Sequence, residues 1–126
     1  IFLWALAAMV CCASCKKKIF GCTDPSAFNY NASANESDGS CDYEGDISFW
    51  TNSGVFGNID ISVDGTYIGT TAFYFPSGTP QCKQSGTVSV TLTKGVHNYF
   101  AATTTGSYTW SGTFTVDSEC TTFELY

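Results

Sequence analysis

Between Ile59 and Val63 apolar and polar side chains alternate without a break, as Ile59-Asp60-Ile61-Ser62-Val63, and Asp64-Gly65 follows at once. A period of two puts one set of side chains on each face of a strand. Asp-Gly suits a two-residue type I′ turn, in which both residues take positive φ. A chain built this way folds back as a hairpin, with a return strand expected over Thr66 to Phe73. The same alternation recurs across residues 43–126. Ile47, Phe49 and Thr51 share one face, with Trp50 on the other. Val88, Val90 and Leu92 alternate with Thr87, Ser89 and Thr91. Lys94-Gly95 turns the chain, and His97, Tyr99 and Ala101 continue on the inward parity. Trp110, Gly112, Phe114 and Val116 form the next face, and Phe123 and Leu125 belong to the last strand. Pro76, Gly78 and Pro80 mark one loop, and Thr103 to Ser107 another. No long helical pattern interrupts this series. The expectation is an all-β fold, an antiparallel β-sandwich of about seven strands. The Cys, Trp, Cys spacing of a true immunoglobulin domain is absent.

The N-terminal end is of another kind. Residues 1–14, IFLWALAAMVCCAS, are almost wholly apolar. As a helix about 15 residues long they would span roughly 22 Å, short of a ~30 Å hydrocarbon core. That length fits the apolar region of an export signal better than a transmembrane helix. The run opens at Ile1, so an initiator and any basic region are expected upstream, and no further region is expected beyond Tyr126. Ala13 and Ser14 stand directly before Cys15, and Lys16-Lys17-Lys18 follows. Small residues before a cysteine resemble a bacterial lipoprotein signal, and the Ser-Cys-Lys-Lys form is similar to lipoproteins of Bacteroidetes-type bacteria. The resemblance implies lipid on Cys15, with residues 1–14 as signal and 15–20 as tether. It implies anchoring to the outer membrane, on the periplasmic or cell-surface face. Cys12 occupies the position where an aliphatic residue is usual.

The chain has 5 lysines, no arginine and 11 carboxylates. Three of the lysines precede Ile19, so the remainder sets two lysines against 11 carboxylates, net −9. A nucleic-acid partner needs a basic face that releases phosphate counterions, and this sign excludes one. The three clustered lysines suit anionic headgroups beside a lipid anchor. Aromatics at 16% and charged residues at 13% describe a folded chain, since disorder needs low hydrophobicity and high charge.

Seven cysteines are present. With Cys11 and Cys12 in the signal and Cys15 lipidated, Cys22, Cys41, Cys82 and Cys120 remain. An exported compartment permits disulfides, and four cysteines allow three pairings. Cys22–Cys41 with Cys82–Cys120 keeps each bridge inside one structural unit. A zinc site is the rival, but no CxxC pair follows the signal and His97 is the only histidine.

Residues 21–42 form a loop-rich segment closed by Cys22 and Cys41, with apolar content too thin for a core. Pro25 to Phe28 suit a single helical turn capped by Thr23 or Asp24. Cys22-Thr23-Asp24-Pro25, Ala27, Asn29-Tyr30-Asn31, Ala34-Asn35 and Asp38-Gly39-Ser40-Cys41 resemble a motif of secreted and surface proteins of marine Bacteroidetes, often found beside β-sandwich modules. Ala32 stands where that motif usually has proline. Asp24, Asn29, Asn31, Asn35, Asp38 and Asp42 offer the hard oxygens that calcium prefers, without the spacing of an EF-hand loop. The same residues are common turn formers, and a disulfide-stapled spacer is the other reading. The sequons at Asn31 and Asn35 are read as accidental in a bacterial lipoprotein.

Gly57 to Thr70, with the Asp64-Gly65 hairpin, and Leu92 to His97 are similar to PEGA-like domains, small surface β-sandwiches. The resemblance implies an accessory or adhesive module without chemistry of its own. Catalytic candidates are few. His97 could serve a Ser-His-Asp triad only beside a serine and an orienting carboxylate, and no nucleophile elbow is present. Asp60 and Asp64 read as solvated hairpin residues rather than a glycosidase pair. The aromatics Trp50, Tyr74, Phe75 and Tyr108, with Tyr126, offer a platform for a glycan or a surface protein. The expected function is non-enzymatic structural or adhesive display. Carbohydrate binding through exposed aromatics is the alternative.

Overall fold

The computed structural model describes residues 15–126, so the signal segment expected over residues 1–14, with Cys11 and Cys12, lies outside the described residues. Seven strands form two facing sheets. They are β3 (Glu44–Trp50), β4 (Ile59–Val63), β5 (Thr66–Thr71), β6 (Val88–Thr93), β7 (Gly95–Thr103), β8 (Thr109–Val116) and β9 (Cys120–Glu124). One sheet has the order β6-β3-β9 and the other β5-β4-β7-β8. The stretch ahead of them holds the two-residue strands β1 (Phe20–Gly21) and β2 (Glu36–Ser37), paired parallel. No helix among the described residues is long and apolar enough to cross a membrane.

The alternating residues face one another across the two sheets. Ile47 and Phe49 from β3, Ile59, Ile61 and Val63 from β4, Ala101 from β7 and Phe114 and Val116 from β8 form one buried cluster with Leu125. The Phe49 ring meets Phe114 edge-on, with centroids 5.7 Å apart. Burial of such side chains is worth about 1.5–3 kcal/mol each, which makes this cluster the main source of stability. The β4–β5 hairpin turns as its sequence requires, with φ of 49° at Asp64 and 80° at Gly65.

Two features depart from a simple antiparallel reading. First, β9 lies parallel to β3, with Asp46 opposite Cys120 and Trp50 opposite Glu124. The chain leaves β8 in one sheet and enters β9 in the other, so no hairpin dictates its direction. Gly45 lets this crossing pass close to β3. A Cβ at Gly45 would stand 2.3 Å from the Ser118 carbonyl oxygen and 2.8 Å from Val116 Cγ1. Second, Lys94 joins strands of different sheets rather than closing a hairpin within one.

The return strand β5 ends at Thr71, short of Phe73, because the chain then leaves its sheet. It crosses the outside of the β6-β3-β9 sheet. Phe75 donates its N–H to the Thr51 carbonyl (2.9 Å), and Lys83 donates its N–H to Ser48 Oγ (2.8 Å). The Cys82–Cys120 disulfide clips this loop to the edge strand β9. Strand β3 is therefore buried on both faces, and Ser48 is satisfied by Lys83 and by Ser89 Oγ at 2.7 Å.

The stapled segment sits on the sandwich. Cys22 and Cys41 are bridged, with Cα atoms 4.8 Å apart. Instead of a helical turn, Asp24 to Ala27 form one tight turn in which Ala27 N–H donates to the Asp24 carbonyl. Phe28 packs against the sandwich core, and Lys94 Nζ stands 5.0 Å over its ring. Lys94 Nζ also donates to the Ser26 carbonyl (2.6 Å), and Tyr43 Oη donates to Asp24 Oδ2 (2.5 Å).

Candidate functional site

The four expected platform aromatics do not share one surface. Trp50 faces away from the core, as its parity requires, yet it is only 5% exposed. The loop that leaves β5 covers it, and Phe75 meets its ring edge-on at 6.2 Å. Trp50 thus falls out of the platform, and Phe75 is half-buried as its cover. The Trp50 Nε1–H is buried without a protein acceptor. Tyr74 and Tyr108 stay exposed and pack on the short 3₁₀ turn Gly54–Phe56. An added Cβ at Gly54 would stand 2.8 Å from the Tyr74 ring. Tyr108 meets Phe56 edge-on at 5.2 Å and stacks beside Trp110 at 6.4 Å. Trp110 Nε1 donates to the carbonyl of the exposed Tyr126 (2.9 Å).

The six oxygen-bearing residues of the stapled segment each have a defined partner. Asp24 Oδ1 accepts from the N–H and the hydroxyl of Ser26. Asn29 Oδ1 accepts from Asp42 N–H, Asn31 Oδ1 from Ser33 N–H, and Asn35 Oδ1 from Ile19 N–H. Asp38 Oδ1 accepts from Ser40 N–H, and Asp42 Oδ1 from Glu44 N–H. Most of these bonds close two residues along the chain, the pattern by which Asx side chains stand in for backbone in turns. The Asp24 and Asp38 carboxyls lie below the usual carboxylate value, Asp24 first through the Tyr43 hydroxyl on its Oδ2 and Asp38 first through Ser40. Among the described residues no three His, Cys, Asp or Glu side chains converge as a metal set. The donor set fits backbone bracing better than a cation shell.

His97 lies on β7 with its ring against Phe114, centroids 5.8 Å apart. Its Nδ1 is 2.6 Å from Asp64 Oδ2, and its Nε2 is 2.7 Å from the Thr93 carbonyl oxygen. The acid and the imidazole of a triad are therefore adjacent. The position a serine would hold is taken by a backbone carbonyl, which cannot act as a nucleophile. Two acceptors favour the doubly protonated ring, and the His97 pKa is raised, first by Asp64 and then by Thr93. Asp60 faces outward on β4 and accepts a short hydrogen bond from the Thr70 hydroxyl.

Cys15 is exposed and unpaired, and Cys22, Cys41, Cys82 and Cys120 form the two bridges. The pairing is the one that keeps each bridge within its unit, and it leaves no thiolate for zinc among those four.

Another pair of exposed aromatics lies outside the expected set. Tyr67 on β5 and Phe100 on β7 are 60% and 52% exposed. Both stand opposite Ser62 of β4, so they share the outer face of the four-stranded sheet. Strand parity was the available signal. Ile61 and Val63 point inward, so Ser62 and its neighbours across the sheet point outward. No family model matches the chain, and no curated protein or solved structure does either.

Proposed function

We propose that this chain is a lipid-anchored, non-enzymatic display module of a bacterial outer membrane. The observation that carries this reading is the state of the cysteines. Among the described residues Cys15 alone is free and exposed, while the four beyond it are paired. Lys16, Lys17 and Lys18 are exposed next to it, where they can meet anionic headgroups. Hydrogen bonding to the stapled segment begins almost at once, with Asn35 Nδ2 donating to the Lys17 carbonyl (3.0 Å). A short tether thus leads into a braced segment that is itself fastened to the sandwich through Lys94 and Tyr43. That arrangement suits holding a small β domain close to a bilayer in a restricted orientation. The carbonyl at His97 Nε2 supports a structural rather than a catalytic imidazole.

Fractionation of cells expressing the whole precursor tests the reading. The native chain is expected in the outer-membrane fraction, and Cys15→Ser in the soluble fraction or retained as uncleaved precursor. Outer-membrane recovery of Cys15→Ser equal to the native chain would overturn it.

A further inference from the structure

The geometry points to the outer face of the β5-β4-β7-β8 sheet as a binding face for a neutral polysaccharide chain, with Tyr67 and Phe100 as its stacking rings. This inference is independent of how the protein is anchored. The four strands put Tyr67, Ser62, Phe100 and Ser111 in one row across the sheet. Neighbouring strands lie about 4.8 Å apart, so the two aromatic positions are separated by roughly 10 Å. An extended glycan laid along this row covers that distance with about two sugar rings, so both aromatics can engage one chain.

The Tyr67 ring is held before any ligand arrives. Thr70 Oγ1 gives its single proton to Asp60, so the 2.7 Å contact between Tyr67 and Thr70 has the tyrosine hydroxyl as donor. Tyr67 and Thr70 lie along the same strand, so this bond lays the ring along the sheet. A ring fixed in that way loses little freedom on binding. Polar groups surround the two aromatics. Thr70, Asp60, Ala102 and Thr109 make the next row, while Asn98 and Thr113 flank Phe100 on the other side. Flat apolar rings set among hydroxyl and amide groups match the two sides of a sugar, its C–H face and its rim of hydroxyls.

Charge narrows the occupant. Strands β4, β5, β7 and β8 contain no lysine or arginine, and His97 points inward onto Phe114. Asp60 is the carboxylate on these rows. Nucleic acid, anionic lipid and acidic polysaccharide all need cations that this face lacks. A protein partner or a second copy needs a continuous apolar centre, and here Ser62 separates the two rings.

The test is affinity electrophoresis of the whole chain, purified in mild detergent, through gels containing laminarin, xyloglucan, galactomannan or alginate. At least one of the three neutral glycans is expected to retard the protein, and alginate is not. Tyr67→Thr and Phe100→Thr keep strand-forming side chains and are each expected to weaken the retardation at least about tenfold. Ser111→Lys, at an exposed position beside Phe100, is expected to weaken it even if the threonine variants fold poorly. Phe100→Tyr is expected to retain it. The inference is overturned if no neutral glycan retards the chain, if alginate alone does, or if retardation survives unchanged in the folded variants. Self-association that these same substitutions abolish, without glycan retardation, would also overturn it.

Discussion

The imidazole of His97 bridges two acceptors, Asp64 Oδ2 at 2.6 Å and the Thr93 carbonyl at 2.7 Å. A neutral ring has one N–H and can satisfy only one of them, so the protonated form belongs to the fold. The His97 pKa is raised above its ordinary 6.5, and that of Asp64 is lowered below its ordinary 3.8, each first by the other. The histidine contribution is complete below pH 6.5 and is lost as pH rises through the raised value. The aspartate contribution is complete above pH 3.8 and is lost as pH falls through the lowered value. The pair is therefore at full strength between those two ordinary values. Thermal unfolding should show a Tm that falls by a few degrees between pH 6 and pH 9. Asp64→Asn keeps a residue suited to the type I′ turn but removes the charge, and it should flatten that dependence. An equal slope in both proteins would contradict the assignment.

Gly45 is buried where the β8–β9 crossing passes over β3. Gly45→Ala places a methyl against the backbone oxygen of Ser118, which has no soft side chain to yield. The loss expected is about 2–4 kcal/mol, within the range for a strong steric fault. Urea unfolding measures it. A change under about 0.5 kcal/mol would show that the crossing runs elsewhere.

The two disulfides should have separable effects. Removing Cys82–Cys120 by paired alanines frees the loop that covers Trp50, at a cost of about 4 kcal/mol in the chain-entropy account. In a chain that starts at Cys15 and carries Trp110→Phe, Trp50 is the one tryptophan left, and its emission should shift to the red as it meets water. Removing Cys22–Cys41 costs about 3 kcal/mol and should leave that emission in place, because Trp50 lies on the far side of β3 from the stapled segment's Phe28. Identical spectra for the two variants would contradict the loop's covering role.

Calcium tests the Asn and Asp residues of the stapled segment. Because their oxygens brace the backbone, millimolar calcium followed by EDTA should move Tm by less than about 1 °C. A reversible rise of several degrees would mean that Asp24, Asn29, Asn31, Asn35, Asp38 and Asp42 rearrange around a cation.

How much of this was legible depended on which physical signal each feature leaves in the chain. Strand β4 and its turn could be read residue by residue, because alternation and an Asp-Gly pair both act locally. The inward parity of His97, Tyr99 and Ala101 was legible for the same reason. The parallel direction of β9 was not, since a period of two is the same in either direction. Trp50 shows a second limit. Parity says that it faces away from the core, and only the path of a loop some thirty residues later in the chain decides that it is covered. Tyr67 and Phe100 were legible in principle, through their shared partner Ser62. Nothing local marks them as surface rings, because an aromatic at an ordinary strand position serves a core equally well.

The central claim is that Cys15 carries the lipid that holds this domain at a membrane. Mass spectrometry of the N-terminal peptide, from protein extracted from membranes of a cell expressing the whole precursor, tests it most directly. The account predicts a peptide that begins at Cys15 and bears a thioether-linked diacylglyceryl group. A mature chain that begins elsewhere, or an N-terminal peptide with Cys15 unmodified, would contradict it.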